Sequence, residues 1–266
     1  MRKRSLVVGL AVAAFVAIVA SVAVAGPVGK PVSSSDGNSQ AIGALVKPNK
    51  LYKKKLTPTA LEVTTALSTA TAANGVPIPT TNVQIDLDKN ATIYTKGVPT
   101  CNAGKLQNVS TEIAERECKK AIVGKGTATA LLPVGNQVFT VEQTVTAFNG
   151  KPKGKKPVVL LHSYGTTPIQ TTLVLTAVVG QYNKQGYGLR LNITVPLIAN
   201  GAGALTRFNV TINKKYKYKG KRRSYVLAKC PKNKQLKVRS VFKFLDGQTT
   251  DPTYKQRCKQ KPEKKK

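Results

Sequence analysis

The chain has 266 residues, with 43 lysines and arginines against 11 aspartates and glutamates, for a formal net charge of +32. Such an excess of cations keeps a protein soluble and draws it to polyanions. With so few carboxylates there is little from which to build the paired acids of a glycosidase. Without tryptophan, and with few aromatic residues, the core must come from Val, Ile, Leu and Ala.

Met1-Arg2-Lys3-Arg4 is followed by an uncharged run from Ser5 to Gly26 that ends in Ala23-Val24-Ala25. A basic start, an apolar stretch and small residues before the cut read as a cleavable secretory signal peptide over 1–25. The alternative is an uncleaved anchor. Cleavage leaves 241 residues and, without Arg2, Lys3 and Arg4, a charge of +29. No other segment is long and apolar enough for a transmembrane helix.

Residues 26–55, beginning "GPVGKPVSSSDGNSQ" and ending in Lys53-Lys54-Lys55, read as a flexible basic lead-in. From 56 to 258 a single β domain is expected. "ALEVTTALSTAT" (60–71) and "NVQIDLD" (82–88) alternate with period two, and "KNAT" is a turn. Ser110 to Ala121, "STEIAERECKKA", breaks the pattern: an N-capping Ser110 or Thr111, early glutamates and late lysines predict one short helix. "QVFTVEQTVTAF" (137–148) alternates again, with Asn149-Gly150 as its expected turn. "PVVLLHSY" and "TTLVLTAVV" are continuously apolar, as buried central strands are. "GLRLNITVPLI", "LTRFNVTIN", "RSYVLAKC" and "KVRSVFKFLDG" complete the series. About ten short strands predict an all-β fold. It would be an antiparallel β-sandwich, jelly-roll or Ig-like, with one short helix, or alternatively a β-barrel. Residues 259–266 read as a basic disordered tail.

Cys101, Cys118, Cys230 and Cys258 are an even set in a chain read as exported, so two disulfides are expected. Of three possible pairings, proximity favours Cys101–Cys118 and Cys230–Cys258. No Cys-x-x-Cys spacing suggests a metal site, and no cofactor motif is present. Sequons at Asn90, Asn108, Asn192 and Asn209 matter only in a eukaryotic secretory pathway.

The only histidine, His162, follows an apolar strand, as an active-site residue of a serine hydrolase does. No serine has the glycine-flanked elbow that such chemistry requires. The bland expectation is a half-exposed histidine that titrates near neutrality. Asp86, Asp88 and Asn90 resemble the start of a calcium loop, but Ala91 and Gly97 fall where glycine and glutamate are needed. A hairpin edge paired with nearby lysines is the better expectation.

The basic runs are the strongest signal. "KKYKYKGKRR" (214–223) holds seven cations in ten residues. Period two puts Tyr216 and Tyr218 on one face and Lys215, Lys217 and Lys219 on the other, with Gly220 at a turn before Lys221, Arg222 and Arg223. "KPKGKK" supplies Lys151, Lys153, Lys155 and Lys156, and Lys53–Lys55 is a third run. Lysines neutralise polyanion charge while tyrosines can stack on rings. The competing explanation is a solvated edge that stops strands pairing between molecules. The expected partners are anionic cell-surface polymers or membrane head groups. No motif for specific nucleic-acid recognition is present.

"VQIDLDKNATIYTKGVPTC", "ECKKAIVGKG", "AFNGKPKGKKPVVLLHSY" and "YKYKGKRRSYVLAKCP" together resemble a set of uncharacterised secreted proteins from actinobacteria, over roughly Leu56 to Cys258. The resemblance implies a shared secreted domain holding both cysteine pairs. It brings no activity, cofactor or site residue. The expected protein is thus a secreted, disulfide-stabilised, basic, non-catalytic module that contacts anionic surfaces. A hydrolase built around His162 is the alternative.

Overall fold

The computed structural model describes residues 27–166 and 170–262. The expected signal peptide lies outside the described residues. Eleven strands form the body: β1 (Asn38–Lys47), β2 (Thr57–Thr69), β3 (Thr80–Asp88), β4 (Ile122–Val134), β5 (Gln137–Lys153), β6 (Lys156–Gly165), β7 (Thr171–Gln181), β8 (Tyr187–Thr194), β9 (Ala204–Ile212), β10 (Gln235–Phe244) and β11 (Thr253–Arg257). They hydrogen-bond in the order β1-β2-β9-β4-β5-β6-β7-β8-β3-β10-β11, each pair antiparallel. The fold is the all-β antiparallel one expected, with one short helix. The path is one continuous sheet whose ends close in a barrel-like way, with its inner face around the main core.

Ten antiparallel steps bring β11 back alongside β1 in the same direction. A regular antiparallel ladder is therefore impossible at the seam, and other groups fill it. The Gln256 side chain takes the place of a neighbouring peptide: its Oε1 accepts from Val46 N at 2.7 Å and its Nε2 donates to Val46 O at 3.1 Å. Gly29 N donates to Ile42 O nearby. Further along, Lys259–Lys261 pairs in parallel with Lys50–Tyr52.

Alternation explains most strands. On β3, Val83, Ile85 and Leu87 enter the main core while Gln84, Asp86 and Asp88 lie on the opposite face of the sheet, where both aspartates are buried by neighbouring side chains. β6 is apolar on both faces for a separate reason. Val159 and Leu161 join the main core, whereas Val158 and Leu160 join a second cluster with Leu106, Ala114, Phe148, Cys101 and Cys118. That cluster lies beneath α1 (Thr111–Glu117), so the helix turns the outer face of the sheet into interior. Ser110 caps α1 by accepting from Ile113 N. The helix ends at Cys118, and Lys119–Ala121 tightens into a 3₁₀ turn. The disulfides join Cys101 to Cys118 and Cys230 to Cys258, with Cα separations of 5.5 and 5.8 Å.

Three local expectations are corrected. Part of the flexible lead-in is a core-forming strand at the seam: β1 buries Ile42 and Val46 and pairs along its whole length with β2. Its pattern was hidden because small residues, Ala41, Gly43 and Ala44, dilute the apolar signal. The basic tail is ordered through Lys261, tied by the Cys258 disulfide and by Lys259 N donating to Asn49 O. Asn149-Gly150 is not a turn, because β5 continues to Lys153 and turns at Gly154. Gly150 is required there by crowding, since a Cβ would lie 2.8 Å from Val158 Cγ1. Asn149 is buried, donating from Nδ2 to the carbonyls of Val98 and Pro99.

Candidate polyanion-binding site

The connections of the barrel fall into two sets. At one end lie β1–β2, β3–β4, β5–β6, β7–β8 and β9–β10, and each carries at least one lysine, from Lys50 and Lys53–Lys55 in the first to the 213–234 segment in the last. At the other end lie β2–β3, β4–β5, β6–β7, β8–β9 and β10–β11. None of these holds a lysine or an arginine. Sequence runs alone do not show this segregation, which appears only when the strand order is known.

Both sequence-predicted basic runs sit at the lysine-bearing end. Lys215–Tyr218 and Lys221–Ser224 pair as a hairpin around a Lys219-Gly220 turn. Lys217 lies directly opposite Arg222. Like charges placed opposite each other destabilise a hairpin, so charge here does not serve local stability. Lys215, Lys217, Lys219, Lys221 and Arg222 are exposed, while Arg223 is half-buried with its guanidinium near the Tyr94 ring. The tyrosines do not form a stacking platform. Tyr216 is half-buried against the main core, and its hydroxyl donates to the carbonyls of Tyr94 and Lys96, 3.0 Å from each. Tyr218 packs against Gly97. They anchor the hairpin and leave the lysines outward.

Lys151, Lys153, Lys155 and Lys156 are exposed on the β5–β6 hairpin. The same 94–101 segment supports this hairpin, since Cys101 N donates to Asn149 O and Lys151 N to Cys101 O. Tyr225 adds a buried tie by donating to Asn149 Oδ1 at 3.0 Å. The two predicted clusters therefore share one support, itself fixed by the Cys101–Cys118 bridge.

Sequence reasoning missed an open, lysine-lined cleft at this end. Its volume is about 880 Å³, and it is lined by Lys53, Lys89, Lys229, Lys232, Lys237 and Lys255, among others. These come from separate stretches, and only Lys53 belongs to a visible run. Asp88 lies in the wall with both oxygens engaged: Oδ1 accepts from Asn90 N and Nδ2, and Oδ2 from Lys237 N. It forms no ion pair with these six lysines, and no salt bridge among the described residues involves them. A second cleft, about 620 Å³, is bordered by Lys47, Lys125, Lys214 and Lys215.

The remaining candidates have structural partners. Asp86 does not edge a hairpin or pair with lysines, because β3 lies between β8 and β10. Its carboxylate is fully buried between cross-strand Arg190 (Nε–Oδ1 2.6 Å) and Arg239 (Nη2–Oδ2 2.7 Å). Burial alone would raise its pKa, but the two guanidinium groups outweigh this and hold it below the ordinary carboxylate value. Arg190 also lies 3.5 Å above the Tyr182 ring. His162 is fully buried under the loop before α1, not half-exposed. Its Nε2 donates to Val109 O at 3.1 Å in the neutral form, and Nδ1 is without a partner. Burial lowers its pKa. The cause is α1, which a strand-by-strand reading of "PVVLLHSY" does not place over it.

These features define a basic, disulfide-stapled, barrel-like antiparallel β protein whose cations gather at one end. No family model, curated protein or solved structure matches the chain. Among the described residues no helix is long and apolar enough to cross a membrane.

Proposed function

We propose that this protein is an exported, non-catalytic module that docks on anionic polymers or membrane head groups outside the cell through its lysine-bearing end. One observation carries the reading: every connection at that end holds lysine and none at the other does. A purely solubilising charge has no reason to avoid all five connections at one end. A one-sided field orients the molecule as well as attracting it to a polyanion. Export rests on the leader-like N-terminus, and two formed disulfides suit an oxidising compartment. The rival hydrolase loses its support, because His162 is closed to solvent and committed to Val109.

The test is binding to immobilised heparin, polyphosphate and anionic vesicles at about 50 mM and about 500 mM salt. The affinity for at least one of them should fall roughly 100-fold or more over that range, since each neutralised charge releases counterions. Salt-independent binding, or no binding to any of the three at low salt, overturns the proposal.

A further inference from the structure

We infer that the lysine-lined cleft is a specific seat for a linear phosphate polymer, a phosphodiester or phosphoanhydride chain. This rests on the polyanion reading above and narrows it to one place and one chemistry.

The first argument is shape. The two basic hairpins are convex projections, so their charges diverge into solvent, whereas the cleft wall brings Lys53, Lys89, Lys229, Lys232, Lys237 and Lys255 around one space. Six lysines around one open groove, against the single carboxylate of Asp88 in its wall, sum their fields there, whereas a projecting hairpin disperses them. The volume, about 880 Å³, is that of a multi-group ligand. A lone phosphate would leave most of these lysines unneutralised.

The second argument is rigidity. The cleft walls are cross-tied: Lys229 N donates to Asn90 O, Cys230 N to Tyr52 O and Cys258 N to Lys234 O, around the Cys230–Cys258 bridge. Lys237 rests over the Tyr187 ring at 4.5 Å and donates to Gln185 O. A wall fixed before binding costs little ordering when a ligand arrives.

The third argument is chemistry. Lysine ammonium groups act as point charges suited to phosphate and lack the planar fork that reads carboxylate. No aromatic side chain lines the cleft, so nothing there stacks on sugar rings or bases. The cleft therefore reads dense charge along a chain. A carboxylated glycan, or a nucleic acid read through its bases, would use surfaces it lacks, and heparin tests the sulfated class.

The experiment compares two triple variants with the wild type, using a polyphosphate of about ten units, orthophosphate and heparin as probes. Lys53→Glu/Lys89→Glu/Lys232→Glu changes three exposed cleft lysines. Lys217→Glu/Lys219→Glu/Lys221→Glu makes the same charge change on the hairpin. The cleft variant should bind polyphosphate about 30-fold more weakly and the hairpin variant only about threefold more weakly, the share due to diffuse attraction by the charged end, while orthophosphate binds weakly to all three. The corresponding Lys→Gln cleft variant should lose about one unit of salt slope per lysine, which separates lost contacts from altered folding. Equal losses in both triples would sink the cleft and leave the broader polyanion reading standing. Tighter binding of heparin than of polyphosphate at equal charge would sink the phosphate class alone. A wild type that binds none of the polymers would end both.

Discussion

The two ends of the barrel are built to different rules. One end holds the long connections, the helix, both disulfides and a lysine in every connection. The other closes with connections of no more than ten residues, has no cation in any of them and exposes Val134, Val138, Leu197 and Leu245. Its carboxylates include Asp36 and Asp246, close enough that a hydrogen bond between them raises the Asp36 pKa. Like charges gathered in one place oppose the compact state. Covalent bridges and the buried Arg–Asp–Arg triad accumulate at or near the charged end because that is where repulsion must be opposed. The opposite end, without that repulsion, holds with ordinary turns.

Removing a tie at the charged end tests this contrast with the largest expected effect. Cys230→Ser/Cys258→Ser opens a 28-residue loop and should cost about 3–4 kcal/mol in urea denaturation at low salt. Raising the salt should restore part of that loss, because screening weakens the repulsion the bridge opposes. A loss below about 1 kcal/mol, or one indifferent to salt, would mean that the bridge does not serve this purpose. Asp86→Ala comes next, at roughly 3 kcal/mol, because it leaves the Arg190 and Arg239 guanidinium groups facing each other without their shared carboxylate. The pH dependence has a fixed sign. The folded pKa of Asp86 is depressed, so its contribution is complete above the ordinary carboxylate range and is lost as pH falls through the folded pKa. Asp86→Asn should flatten that acid limb.

The alternation of "NVQIDLD", the helix cap at Ser110, the cysteine pairing by proximity and the Lys219-Gly220 hairpin were all legible, because each is local. What was not legible depends on residues far apart in the chain. Burial of His162 needs α1 laid over β6, and the neutralisation of Asp86 needs β8 and β10 on either side of β3. The cleft needs Lys89, Lys232 and Lys255 brought together by sheet order, and each looks ordinary in its own stretch. Tyrosines alternating with lysines on a strand looked like a ligand surface. Period two assigns them to a face but does not say which face meets the protein.

His162 offers a smaller effect, on the outer face of β6 beneath the helix-bearing connection. It packs beneath the loop that leads into α1, facing the Val109 carbonyl, with Thr146 beside it on β5 and the Glu115 charge on α1. Desolvation lowers its folded pKa, although Val109 and Glu115 favour the charged form. The unfolded chain then binds a proton first, near pH 6.5, while the folded protein stays neutral. Stability is therefore full above that pH and falls on acidification, by at most about 1.4 kcal/mol per pH unit, until the folded pKa is passed. Thermal melts from pH 7.5 to 5 should show this fall, and His162→Gln should remove it. An unchanged slope in the variant would assign the acid sensitivity to other groups.

The smallest expected effect is the one that separates charge for binding from charge for folding. Lys217→Gln/Lys219→Gln/Lys221→Gln removes three exposed cations, one of them directly opposite Arg222. If the charged end is maintained for a ligand, stability should change by no more than about 0.5 kcal/mol. The sign should be stabilising at low salt, because the Lys217–Arg222 repulsion is gone, and the change should vanish at high salt. Retention on an anionic column should nevertheless fall. A loss of more than about 1 kcal/mol would show that the hairpin lysines hold the end together through contacts their exposure does not suggest, and the contrast between a bound end and a held end would fail.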